Sequence, residues 1–184
     1  TPVLPSIHIV MVIYKRVFLL RSQLESMYEQ NIRKGHDIVF HILNNNLEVT
    51  EDANDVVMNW GKKDGFEVNL VHFKKNRGAF LRFVHACELR NSFPLDHVIF
   101  VDDDQLWPPD FISGLIAAHR PRSSTSWYGK IFERGDWLEP ADYWSSTLVS
   151  MDDIRTHSRT EMTEWKYSGP GGSVYDANIC LAQD

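Results

Sequence analysis

The chain has 184 residues, with 25 Asp and Glu against 19 Lys and Arg and a formal charge of −6. Hydrophobic residues at 43% and charged residues at 24% exclude long disorder and collagen-like structure, and the acidic balance excludes non-specific nucleic-acid binding, which needs a basic field. The length predicts one domain, residues 1–184, that buries its core without staples; the two cysteines, Cys87 and Cys180, build no disulfide framework and favour a reducing, cytoplasmic setting.

Thr1-Pro2-Val3-Leu4-Pro5 carries neither an initiator Met nor a signal pattern and reads as the start of a cut or processed fragment. Ile7–Ile13 is a β-branched run that predicts a buried strand, too short for the ~20 residues that span a bilayer, and no other apolar run is long enough. Leu20, Leu24, Met27 and Tyr28 mark one face of a helix, with Gly35 as its stop. Asp37–Leu43 is a second strand, closed by Asn44-Asn45-Asn46. Ala53, Val56, Val57 and Trp60 mark a second helix stopped by Gly61, and Glu67–Phe73 a third strand. Phe80, Phe83, Val84 and Cys87 mark a third helix, which places Cys87 in the core. His97–Val101 is a fourth strand, and Ile112, Leu115 and Ile116 follow Pro108-Pro109 as a fourth helix.

This alternation predicts an α/β fold with a mostly parallel sheet covered by helices. Ligands of such sheets bind beyond the carboxyl ends of the strands. Those ends are Tyr14-Lys15-Arg16, Asn44–Asn46, Lys74–Gly78 and Asp102–Asp104, all polar and expected on one rim. From Pro121 the helical periodicity stops and aromatics become dense; short strand-like pieces at Ser126–Phe132 and Thr147–Ser150 predict a less regular lobe packed on the same sheet.

Asp102-Asp103-Asp104 is the sharpest chemical feature. Carboxylates this close repel one another, and a hard divalent cation such as Mg²⁺ or Mn²⁺ relieves that while taking substrate phosphates as further ligands. Asp102 and Asp104 share one side if strand geometry persists. The plain alternative is a solvated acidic turn capping the next helix. Lys74-Lys75-Asn76-Arg77-Gly78 opens the third helix and suits an anionic group there, although as a charged loop it needs no function. Tyr14 suits stacking on a base and Arg16 a ribose or phosphate, while Asn44 and Asn45 offer amides to a base edge or serve only as turn formers. Gly169-Pro170-Gly171-Gly172 would let a ligand approach bare backbone, or is a tight loop. Trp137, Tyr143 and Trp144 are either an acceptor platform or core. Dinucleotide and P-loop fingerprints and zinc spacings are missing from the sequence.

In order, Ile13-Tyr14-Lys15-Arg16, Asn44, Asn76-Arg77-Gly78 and Asp102–Asp104 with Pro108-Pro109-Asp110 resemble the GT-A glycosyltransferases, most closely the inverting family 2 type, over about residues 7–119. The resemblance implies a GT-A fold, with residues 1–120 as the nucleotide-sugar-binding half and residues 121–184 as the acceptor half, truncated at its C-terminal end. It implies a UDP-, GDP- or TDP-sugar donor, Mn²⁺ or Mg²⁺, and a glycan, protein or lipid acceptor. Tyr14, Asn44 and Asn45 would lie near the base, with Arg16 and Arg77 beside the nucleotide. Asp102 and Asp103 would meet the donor, and Asp104 with Asp102 would hold the metal. Gly171 and Gly172 would lie near the transferred sugar. The family's base is often a Glu-Asp pair after the Gly-rich loop; here Asp176 and Asp184 are the carboxylates in that stretch, so one of them is the base or the base lies beyond the chain end, with Asp152-Asp153 an earlier candidate. The rival readings are a sugar nucleotidyltransferase, disfavoured because Tyr14–Leu20 holds no Gly, and a nucleotide- or glycan-binding domain without turnover.

Overall fold

In the computed structural model the described residues are 6–92, 97–119, 123–126, 130–132, 155–158, 165–167 and 173–176. Strand β1 (Ser6–Ile13) pairs in parallel with β2 (Asp37–Asn44) on one side and with the strand over His97–Val101 on the other. A two-residue strand, β3 (Lys62–Lys63), turns back against β4 (Phe66–His72), which lies parallel to β2. With His97–Val101 numbered β5, the order β4-β2-β1-β5 is the parallel sheet expected of the α/β class.

Both faces of the central strands β1, β2 and β5 are covered, which is why they read as near-continuous apolar runs, whereas β4 alternates, with Phe66 and Val68 buried and Glu67 and Asn69 half-buried. Ile9, Met11 and Ile13 of β1 and Phe40 and Ile42 of β2 pack with Leu20, Leu24 and Met27 of α1 (Leu20–Tyr28), Ala53 and Val57 of α2 (Thr50–Met58), and Ile112 and Leu115 of α4 (Phe111–Ala118). Val10, Val12, Leu43 and Phe100 face the other way, onto Leu81, Ala86 and Leu89 of α3 (Leu81–Ser92).

The helix stops divide. Gly61 (φ 45°) adopts the left-handed conformation beyond α2, and its N–H closes on Val57. Gly35 does not end α1: the helix stops at Tyr28, a 3-10 turn spans Asn31–Lys34, and Gly35, without a positive φ, caps that turn. Around α3 the expected face is also shifted. Phe80 and Val84 are exposed and Cys87 is half-buried, so Cys87 is not the core residue the pattern suggested. Apolar residues lie almost all round this helix, so periodicity alone picks no face.

Beyond β5 the sheet continues antiparallel. Strand β6 (Ser123–Ser126) pairs with β8 (Arg155–Ser158) and with β10 (Ser173–Asp176), and β10 pairs with β5. These strands extend the sheet at its edge by backbone pairing. The expected strand piece at Ser126–Phe132 is two strands: β6 ends at Ser126, and β7 (Lys130–Phe132) pairs with β9 (Trp165–Tyr167) in a separate ribbon. Thr147–Ser150 lies outside the described residues. No helix among the described residues is long and apolar enough to cross a membrane.

A polar patch interrupts the α3 side of the sheet. His8 Nδ1 and His41 Nε2 share a 3.0 Å hydrogen bond, their rings stack at 5.3 Å, and His85 of α3 meets the His41 ring edge-on at 5.1 Å. Burial lowers the pKa of all three, that of His41 to about 3. Glu67 works against this at His8, and Glu88 at His85.

Candidate functional site

Because β1, β2, β4 and β5 run in one direction, their carboxyl ends form one rim, and side-chain contacts tie the four following loops together. Asn45, 3% exposed, is the hub of one side. Its Nδ2 donates to Asn76 Oδ1 at 2.7 Å and to the Gly78 carbonyl at 3.2 Å, while its Oδ1 accepts the Arg77 N–H at 2.8 Å. Gly78 has φ 72°, a conformation that glycine adopts without steric cost, and the turn leads directly into α3. Asn44, fully buried, donates to Thr50 Oγ1 and to His72 Nδ1 and accepts the Asn46 N–H. Both amides therefore shape the rim through internal bonds, the turn-forming role weighed above.

The other side is built on charge. Asp102 Oδ1 accepts from Arg82 Nη1 at 2.8 Å. Arg82 is buried and also donates from Nε to the Ala79 carbonyl. One nitrogen of Arg16, Nη1, lies 2.7 Å from Asp103 Oδ1 and 3.3 Å from Asp104 Oδ2. The hydrogen bond to Asp103, then the charges of Asp103 and Asp104, raise the Arg16 pKa further. Strand pairing ends at Val101, so period-two alternation stops there: Asp102 turns to α3 while Asp103 and Asp104 turn to the end of β1. Two glutamines buried in the α1 region hold the next segment. Gln23 donates to the Gln105 carbonyl; Gln30 donates to the Pro108 carbonyl and accepts the Ile112 N–H.

Tyr14 is 42% exposed, Lys15 lies over its ring, and Arg77 lies 5.3 Å from the Phe73 ring. The rim thus gathers Tyr14, Arg16, Asn44, Asn45, Arg77, Asp102, Asp103 and Asp104. It does not gather Asp176, which pairs with His97 at the opposite end of β5, roughly 13 Å of strand from Val101 at 3.3 Å per residue. Gly171, Gly172 and Asp184 lie outside the described residues, as do Trp137, Tyr143, Trp144, Asp152 and Asp153.

Arg82, Gln23 and Gln30 were not singled out from sequence, yet each leaves a trace there. Arg82 shares the buried side of α3 with Ala86 and Leu89 at helical spacing. Gln23 falls within the apolar stripe of α1, and Gln30 lies just past its end. A polar group in a core stripe needs a partner, and here the partners belong to the Asp turn.

The set is hard oxygen donors plus cations. No group of three His, Cys, Asp or Glu side chains able to hold a metal occurs among the described residues. Two carboxylate oxygens nevertheless bracket one cationic nitrogen, so the turn already presents paired oxygens to a single positive centre. That suits a cation bound by one or two carboxylates with phosphates completing its shell.

No family model matches the chain, and no curated protein matches it. Among solved structures it is similar to the mannosyltransferase PcManGT from Pyrobaculum calidifontis in complex with GDP-Man and Mn²⁺, at TM-score 0.53 and 17% identity, over 77% of this chain and 38% of that one. S. aureus TarS 1–349 in complex with UDP aligns at TM-score 0.46 and 14% identity, over 62% of this chain and 31% of that one. The chain thus spans well under half the length of either. At these identities the likeness speaks to fold alone: the α/β architecture, a parallel four-stranded sheet flanked by helices, is shared with the mannosyltransferase.

Proposed function

We propose that this chain is the donor-binding part of a metal-dependent glycosyltransferase, which moves a sugar from a nucleoside diphosphate to an acceptor hydroxyl with inversion. The carrying observation is the meeting of Asp102–Asp104 with Arg16 and the Asn45-tied Arg77 loop on the carboxyl rim of a parallel sheet. Support comes from the fold shared with a protein whose structure holds GDP-Man and Mn²⁺.

In this reading Asp104 holds Mn²⁺ or Mg²⁺. The sequence expectation paired it with Asp102; the bracketing of one Arg16 nitrogen favours Asp103 as the second ligand, leaving Asp102, fixed by Arg82, for the donor's ribose. When bound, such a cation offsets negative charge on the diphosphate leaving group. Arg77 lies beside the nucleotide, Tyr14 offers its exposed ring to the base, Asn45 fixes the loop that presents Arg77, and Asn44 holds the end of β2 beneath the base side through Thr50 and His72. Gly171 and Gly172 are assigned to the sugar side. A carboxylate that takes the acceptor's proton completes the reaction; the β10 register disfavours Asp176 in that role, which leaves Asp184, Asp152-Asp153 or a residue outside this sequence. That same register favours, as a second reading, a domain that binds the donor without turning it over.

Calorimetric titration of UDP, GDP, TDP and CDP, with Mn²⁺ and with EDTA, into wild type and Asp104→Ala tests the site. One diphosphate should bind in a metal-dependent way, and Asp104→Ala should lose that binding; no binding of any diphosphate to wild type would sink the proposal. Release of nucleoside diphosphate from the matching donor separates the two readings: release supports the enzyme, and binding without release supports the second.

A further inference from the structure

The three carboxylates after β5 are matched to two guanidinium groups of unequal freedom. The Arg82 side chain is 6% exposed, bonded to Asp102 and to the Ala79 carbonyl, and cannot leave without opening the α3 packing. The Arg16 side chain is 49% exposed, and its contacts with Asp103 and Asp104 are its ion pairs among the described residues. Its backbone is anchored independently, since the Arg16 carbonyl accepts the Leu19 N–H of the 3-10 turn that follows β1. The long side chain can therefore swing while the loop stays in place.

Nη1 of Arg16 occupies the point that both carboxylates face. A divalent cation and this guanidinium cannot both hold that point, because like charges so close repel. The contact offsets one of the two negative charges of the paired carboxylates when no other cation is present. A guanidinium released from them is a strong, planar donor set for phosphate oxygens.

We propose that Arg16 is a displaceable counter-ion. It holds Asp103 and Asp104 in the free site, yields them to a divalent cation, and moves to the donor's diphosphate. This rests on the nucleotide-sugar reading above and adds how the site is regulated. A cation arriving alone must expel Arg16 into water and so binds weakly. A cation arriving with a diphosphate gives Arg16 a new partner, so each ligand strengthens the other, and the coupling is reciprocal.

The test titrates Mn²⁺ alone into wild type, Arg16→Gln and Arg16→Lys, following free Mn²⁺ by its electron paramagnetic resonance signal. Circular dichroism and the unfolding midpoint verify that each variant folds. Arg16→Gln should bind Mn²⁺ tighter by about fivefold or more, the lower end of ordinary coupling between sites. Arg16→Lys, which keeps the charge, should stay near wild type. With Mn²⁺ saturating, Arg16→Gln should bind the matching diphosphate more weakly, so that the mutual enhancement shrinks. Equal Mn²⁺ affinity in wild type and Arg16→Gln, or no Mn²⁺ binding by either, overturns the proposal. Failure of wild type to bind any diphosphate overturns the nucleotide-sugar reading instead, and the metal-alone comparison still reports on Arg16.

Discussion

Asn45 sits where neither a carboxylate nor a hydroxyl could serve. It donates to Asn76 Oδ1 and the Gly78 carbonyl while accepting the Arg77 N–H, so the site needs both halves of an amide. Asn45→Asp keeps the shape and the acceptor but replaces the donating group with a charged oxygen facing two acceptors. That change should destabilise the domain by about 2 kcal/mol, the usual scale for leaving buried polar groups unsatisfied. Urea unfolding at constant slope reads the loss, and a cost below experimental error would mean that the loop does not depend on this amide. At this scale the sequence named residues that meet on the rim but not their partners. Asn45 and Arg77 lie 32 positions apart, and Arg16 and Asp103 lie 87 apart, so the bonds exist only once parallel strands bring their ends together.

Among the elements, α3 joins the rim to the histidine patch: Arg82 near its start holds Asp102, and His85 a turn later meets His41. The three histidines have pKa values lowered from 6.5, chiefly by burial. Above pH 6.5 they are neutral in both folded and unfolded chains, and their contribution to stability is fully present. Below it the unfolded chain takes up protons that the folded chain refuses, down to about pH 3 for His41. Stability should therefore fall as pH drops from 6.5 towards 4. Melting temperatures across that range should fall less steeply in His41→Gln than in wild type; identical slopes would mean that His41 does not titrate far below its ordinary value. The buried face of α3 was not legible from periodicity, because Phe80, Leu81, Phe83, Val84, Ala86, Cys87 and Leu89 spread over most of the helix. The ion pair to Asp102 and the packing on Val10, Val12 and Phe100 decide the face.

Taken whole, the molecule is held from its middle. Strand β1 has a neighbour on each side and an apolar layer on each face, whereas β3 is two residues long at the sheet edge. Native-state hydrogen exchange should show β1 amides opening only with global unfolding and β3 amides first. Faster exchange in β1 than in β3 would mean that the central packing is not what holds the domain.

Local pattern in the sequence carried the strands and most of the helices, since a strand buried on both faces is apolar throughout, as β1 is, and a covering helix carries a stripe at period 3.6, as α1, α2 and α4 do; β4 alternates and α3 shows no single stripe. The sequence also determined that four polar strand ends share a rim, a consequence of parallel direction alone. The folded chain alone divides the carboxylates, with Asp102 going to Arg82 and Asp103 and Asp104 to Arg16. It alone set β10 antiparallel to β5, with Asp176 away from the rim. Local pattern reports which side of an element is buried, whereas partner and register depend on residues brought together from distant parts of the chain, which no short window of sequence contains.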